Sequence, residues 1–148
     1  MENSKINKAA FGFDNYRFDN VYLNFKSSPI KEDDTSLAID LDFNPKGIFN
    51  PEKNQYELQL EFVAFEKNRG KKDPFIKINA VAFYRFESIN KLDDIPNFFY
   101  ANSLAILYPY IRAFVSSLSV QANAGTLILP TLNLTGLENI LKENTSSL

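Results

Sequence analysis

The chain reads as an α+β domain, a four-stranded antiparallel sheet followed by a long helix and a short C-terminal helix. Three features of its 148 residues predict this. Apolar and polar residues alternate at period two through the first half, as in strands that bury one face. Turn residues separate the alternating stretches by connections that suit antiparallel neighbours. The second half replaces alternation with an apolar run from residue 98 to 118 that reads as a buried helix.

The first strand covers Tyr16 to Lys26, with an irregularity at Asp19 and Asn20 that reads as a bulge. A polar loop, Ser27 to Ser36, follows. In the second strand Leu37, Ile39, Leu41 and Phe43 alternate with Ala38, Asp40 and Asp42, and Asn44-Pro45-Lys46-Gly47 ends it. The third strand, Gln55 to Glu66, sets Tyr56, Leu58, Leu60 and Phe62 against Glu57, Gln59 and Glu61. Lys67 to Pro74 turns the chain into the fourth strand, Phe75 to Glu87, whose even positions from Ile76 to Phe86 are all apolar or aromatic.

The long helix is expected to start near Asp94-Ile95-Pro96, to kink at Pro109 and to end near Val120. Leu104, Tyr108, Ile111 and Val115 mark one apolar stripe, and Leu107, Tyr110 and Phe114 mark another. One sheet covers one stripe, so Leu107, Tyr110 and Phe114 are expected at an oligomer interface; cover by the second helix is the alternative. That helix opens on a capping box, Thr135-Gly136-Leu137-Glu138, and carries Leu137, Ile140 and Leu141 on a narrow stripe. The whole chain, 1–148, forms a single domain, with residues 1–15 and 144–148 expected to be flexible.

Composition narrows the function. Sixteen Lys and Arg against 18 Asp and Glu give a net charge of −2, without the basic excess that nucleic acid or an anionic membrane selects. With neither cysteine nor histidine, thiolate and imidazole chemistry and the common zinc sites are excluded, so no enzyme activity, catalytic residue, cofactor or metal is expected. Asp40 and Asp42 are the best acid pair available and read as a solvated strand face; the cluster Lys67, Arg69, Lys71 and Lys72 reads as a solvated hairpin tip. Residues 1–15 lack the apolar run of a secretory signal, which points to the cytoplasm. Asn102, Pro109, Arg112 and the serines interrupt the run from Phe98 to Leu118, so no membrane insertion is expected.

Fourteen Phe and seven Tyr are a large aromatic supply, and some of it falls on the wrong strand face. Val63, Phe65, Phe75, Val81 and Phe83 occupy positions that alternation would leave polar. Either the second helix and loops cover them, or they line an exposed apolar groove. In the groove reading Phe65, Phe75, Val81 and Phe83 form one wall and Leu137 and Leu141 the other.

Four segments resemble the SecB export chaperones. Asn102 to Arg112 (NSLAILYPYIR) is similar to that family's long-helix signature, and Leu129 to Leu137 (LPTLNLTGL) to the segment entering its last helix. Asp40-Leu41-Asp42 and Gln55-Tyr56-Glu57-Leu58 resemble its second and third strands. The resemblance spans Tyr16 to Leu137 and implies a homotetramer, a dimer of dimers, that binds unfolded or nascent polypeptide clients as an ATP-independent holdase. Export members carry acids near the end of the first strand that dock the SecA motor. This chain has Tyr22 and Lys26 there, and Lys77 and Asn79 on the fourth strand, so SecA docking is expected to be weak. A dedicated chaperone, like the SecB-like partners of toxin-antitoxin systems, is the alternative to export.

Overall fold

A computed structural model describes residues 11–27 and 39–148. The strands are β1 (Phe11–Leu23), β2 (Ile39–Asn50), β3 (Gln55–Glu66), β4 (Ile76–Phe86) and β5 (Thr145–Ser147); the helices are α1 (Asn97–Gln121) and α2 (Glu138–Glu143). They form one sheet in the order β1-β4-β3-β2-β5, antiparallel except for β5, which runs parallel to β2. The expected strand positions Leu37 and Ala38, the loop from Ser28 to Ser36 and residues 1–10 lie outside the described residues.

β3 and β4 form the centre. Their register sets Tyr56 opposite Tyr84, Leu58 opposite Ala82, Leu60 opposite Ala80 and Phe62 opposite Ile78, so each cross-strand pair on this face is apolar or aromatic. All eight side chains are buried under α1. The hairpin between them turns at Gly70, whose φ of +78° suits glycine, and the Arg69 and Gly70 amides donate to the Glu66 carbonyl. β1 joins the edge of β4 with two register shifts, one at Asp14 and one at the expected bulge by Asp19. Residues 11–15, expected to be flexible, belong to β1, where Phe11 packs edge-on to Phe99.

β2 does not stop at Pro45 but continues to Asn50. Gly47 N donates to Asn144 O, and Leu148 N donates to Phe49 O, so odd-numbered β2 residues direct their backbone groups away from β3. Pro45 has the same parity, and its missing N–H is not required by β3. Its carbonyl accepts from Asn144 Nδ2 at 3.2 Å. Residues 145–147, expected to fray, are held as β5 because the Tyr56 hydroxyl bonds Thr145 Oγ1 at 2.7 Å and Thr145 Oγ1 donates to Leu141 O at 2.7 Å.

The two-sided helix is largely covered within its own chain. Leu107 is wholly buried against the sheet, which corrects its assignment to an oligomer interface. Phe114 packs on Phe18, and Tyr110 packs on Phe13 and Tyr16, all from β1. On the opposite flank the chain reverses at Gly125 and returns along α1. Tyr108 Oη donates to Pro130 O at 2.7 Å, Arg112 Nε to Leu129 O at 3.1 Å and Ser116 Oγ to Leu127 O at 2.8 Å. Leu127 N donates to Ser119 Oγ at 2.9 Å. Two of the polar residues that interrupt the apolar run, Arg112 and Ser116, thus hold this returning segment, and α1 is a core helix despite an apolar length sufficient for a membrane span.

A 3-10 turn, Leu134–Leu137, takes the place of the expected capping box. Its Thr135 amide is capped by Asn133, whose Oδ1 accepts from Thr135 N at 3.1 Å and from Thr135 Oγ1 at 2.8 Å.

Four core phenols give a pH prediction. Burial raises the pKa values of Tyr56, Tyr84 and Tyr100, and it pushes Tyr108 up to about 12. The folded state thus retains protons that the unfolded state loses from about pH 10, so stability falls as pH climbs through that interval. Urea midpoints are expected to decline steeply between about pH 10 and 12; a midpoint that holds steady there would contradict the burial of these phenols.

Candidate functional site

The sheet has one face under α1 and one outer face, and the residues expected to line a single groove divide between them. Phe65, Val81 and Phe83 lie on the outer face. α2 instead closes the core side beside β2, where Leu141 is fully buried and Leu137 packs against the core. Phe75 sits at a bend before β4, and its ring is fully buried in the core cluster, which corrects its assignment to the groove. Leu137 and Leu141 are corrected likewise: they cannot wall a groove on the other side of the sheet.

The outer-face residues are also separated. Phe83 faces Glu57 across the β3–β4 ladder, and Phe65 is eight residues further along β3, so the two rings stand about 27 Å apart. Between them the face is polar, with Val63 and Val81 set into it at 6% exposure each. It is hollowed into a trough of about 590 Å³ that includes Arg17, Asn44, Gln59, Glu61, Asn79 and Val81 in its lining. A second recess of about 380 Å³ extends it toward Lys71, Lys72 and Pro74, with Asn44 and Glu61 common to both.

Charges in this trough largely answer one another. Arg17 pairs with Asp19 at 2.6 Å and lies over the Phe83 ring at 5.2 Å, a cation–π contact. Lys77 pairs with Glu61 and Lys71 with Asp42, each at 3.6 Å. The other member of the acid pair, Asp40, accepts from the Leu41 amide at 3.1 Å. Among the described residues no three carboxylates converge to hold a metal ion. In the same cross-strand row as Asp42, but on the β1 edge of the face, Tyr22 stands opposite Lys77, both exposed.

A second surface runs along α1. Arg112 is the helix's sole charged residue, and its guanidinium is turned to the Leu129 carbonyl. Phe98 is 51% exposed, Val120 55% and Ile128, on the returning segment, 68%. A recess of about 230 Å³ bordered by Pro109, Ala113, Ser116 and Ile128 lies between them.

Along most of its length the chain resembles the uncharacterized protein MJ0357 of Methanocaldococcus jannaschii, with 31% identity over 144 residues, 93% of this chain and 91% of that one. The chain belongs to the MJ0357 family. No family model matches it. Among solved structures it is similar to the Mycobacterium tuberculosis SecB-like chaperone Rv1957, solved in complex with a ChAD peptide from the Rv1956 HigA1 antitoxin. The TM-score is 0.62 at 16% identity, covering 83% of this chain and 88% of that one. The MJ0357-family chain therefore has a SecB-like α+β fold.

Sequence reasoning missed the amide side chains of this trough, Asn20, Asn44, Gln59, Asn79 and Asn144. A signal for them exists: Gln59 and Asn79 alternate with core residues and face each other's strands. By itself it reads as ordinary solvation, because period two assigns a face without saying whether that face is concave.

Proposed function

We propose that this chain is an ATP-independent chaperone that binds unfolded or nascent polypeptide. The observation that carries the reading is its fold, shared with a SecB-like chaperone that was solved with an antitoxin peptide. Phe65 and Phe83 supply apolar anchors at the two ends of the outer face, a distance that an extended segment of about eight residues spans. Its activity is binding rather than catalysis, and its setting is the cytoplasm. Wild-type protein is expected to suppress the aggregation of chemically unfolded enzymes without nucleotide. No suppression with any of several unrelated substrates would refute the holdase reading.

A dedicated adaptor is the second reading, and the polar interval between Phe65 and Phe83 favours it over general export. An indiscriminate holdase gains most of its affinity from apolar contact, and here that contact is interrupted. A pull-down returning one stoichiometric partner supports the adaptor. With Tyr22 and Lys77 on the sheet face, SecA is expected to bind weakly.

The uncharged outer surface of α1 is proposed as the contact between copies, with Tyr110 and Phe114 at its margin. Ala113→Arg places a charge at its exposed centre without touching the core. Sedimentation is expected to show an oligomer for the wild type and a smaller species for this variant; a monomeric wild type rejects the interface.

A further inference from the structure

The outer-face trough holds more than the two phenylalanine anchors need. Asn20, Asn44, Gln59, Asn79 and Asn144 all border it. Three rungs of the ladder align one row of them across the sheet: Asn20 opposite Asn79, Asn79 opposite Glu61, and Glu61 opposite Asn44. Where these amides make hydrogen bonds, they donate. Gln59 Nε2 donates to Glu57 at 2.5 Å, Asn44 Nδ2 to Glu61 at 3.3 Å and Asn144 Nδ2 to Pro45 O at 3.2 Å. Among the described residues no donor reaches any of the five amide oxygens, and Asn20 and Asn79 commit no N–H either, so the trough presents free acceptors and free donors side by side, as a peptide main chain requires.

We propose that this trough binds the main chain of an extended polypeptide segment of no net charge, which runs along β3 and β4 and whose N–H and C=O groups pair with the side-chain amides of Gln59 and Asn79. The proposal rests on the polypeptide-binding reading and deepens it by naming what is recognised. Charge selects the occupant. The trough's charged lining sets Arg17 and Lys46 against Asp19, Glu57 and Glu61, with Arg17 paired to Asp19 and Glu61 to Lys77, so it offers neither a polyanion nor a polycation a strong net field. Ring-shaped ligands lack a stacking platform within the trough, because its floor is Val81 with the backbone of Leu60 and Ala80, whose side chains face the core. The edges of the sheet are poor alternatives for capturing an extended chain. β1 is bulged twice and β2 carries Pro45 and the β5 strand, both of which interrupt a regular row of edge hydrogen bonds.

The test uses the full chain and a fluorescent peptide of about eight residues, with phenylalanine at each end and serine and alanine between, long enough to reach both anchors. A second peptide is identical but N-methylated at every internal residue, which removes its main-chain donors. Wild-type protein is expected to bind the first about tenfold more tightly than the second, as loss of two or more hydrogen bonds implies. The double variant Gln59→Met with Asn79→Leu, which keeps side-chain volume outside the core, is expected to lose about the same factor for the unmethylated peptide only. Equal binding of the two peptides by the wild type overturns the proposal without recourse to any variant. Reduced, carboxymethylated lactalbumin separates the two readings. If the wild type binds it and the double variant binds both probes as well as wild type does, the trough is refuted and polypeptide binding stands. If the wild type binds neither probe, both fall.

Discussion

Gly47→Ala is expected to destabilise the fold by about 3 kcal/mol or more and to release β5. A Cβ at Gly47 collides with the Tyr56 hydroxyl and ring and would come within 2.7 Å of Thr145 Oγ1. None of these groups has room to retreat. Gly47 is paired with Leu58 on one side and Thr145 on the other, and Tyr56 is fully buried with Phe99 at 4.7 Å and Phe86 at 6.2 Å. The alanine must therefore displace the phenol and break its bond to Thr145, leaving a buried hydroxyl without a partner. Overpacking and an orphaned polar group each cost roughly 1–3 kcal/mol. Urea unfolding gives the loss, and amide exchange at Ser146 to Leu148 reports release of the strand. Adding Tyr56→Phe should recover part of the loss, since it removes the atom that suffers most; a double variant no more stable than Gly47→Ala would show that the clash lies elsewhere.

Phe99→Ala is expected to cost about 3–5 kcal/mol, the range for an aromatic ring removed from a well-packed core. Phe99 is fully buried and meets five rings edge-on: Phe11 at 4.9 Å, Tyr56 and Phe86 at 4.7 Å, Tyr84 at 5.4 Å and Tyr100 at 5.8 Å. These come from β1, β3, β4 and α1, so one cavity loosens the helix and three strands together. Thermal unfolding should shift strongly, with near-ultraviolet dichroism lost before far-ultraviolet signal. The adjacent Phe98→Ala is the control: at 51% exposure it should stay within about 0.5 kcal/mol of wild type. Equal losses for the two would mean that α1 is rotated about its axis so that both rings meet the core.

The candidate site is only partly legible before folding. Parity assigns Phe65, Val81 and Phe83 to the outer face, and that face is where they stand. Phe75 shares their parity yet turns inward, because the bend before β4 ends the alternation on which parity depends. Resemblance places Leu137 and Leu141 beside the outer face. Their true side of the sheet follows from the path of the chain after Gly125, which no local pattern encodes. The separation of roughly 27 Å between Phe65 and Phe83 is implicit in their spacing once the β3–β4 register is known, and that register converts two apolar residues into two separate anchors rather than one groove.

By itself the sequence determined the period-two strands, the face that Tyr56, Leu58, Leu60 and Phe62 share with the even positions of β4, and the apolar helix that covers them. These follow from spacing along a few consecutive residues, so they need no knowledge of distant neighbours. Only the tertiary structure decided how far β2 runs, why Gly47 must be glycine, and that Thr145 to Ser147 form a strand. It also decided that Ser116, Ser119 and Arg112 hold a returning chain. Each of those outcomes is a contact between groups far apart in sequence. The Tyr56–Thr145 bond joins residues 89 positions apart, and it exists only because the folded core places both beside Gly47.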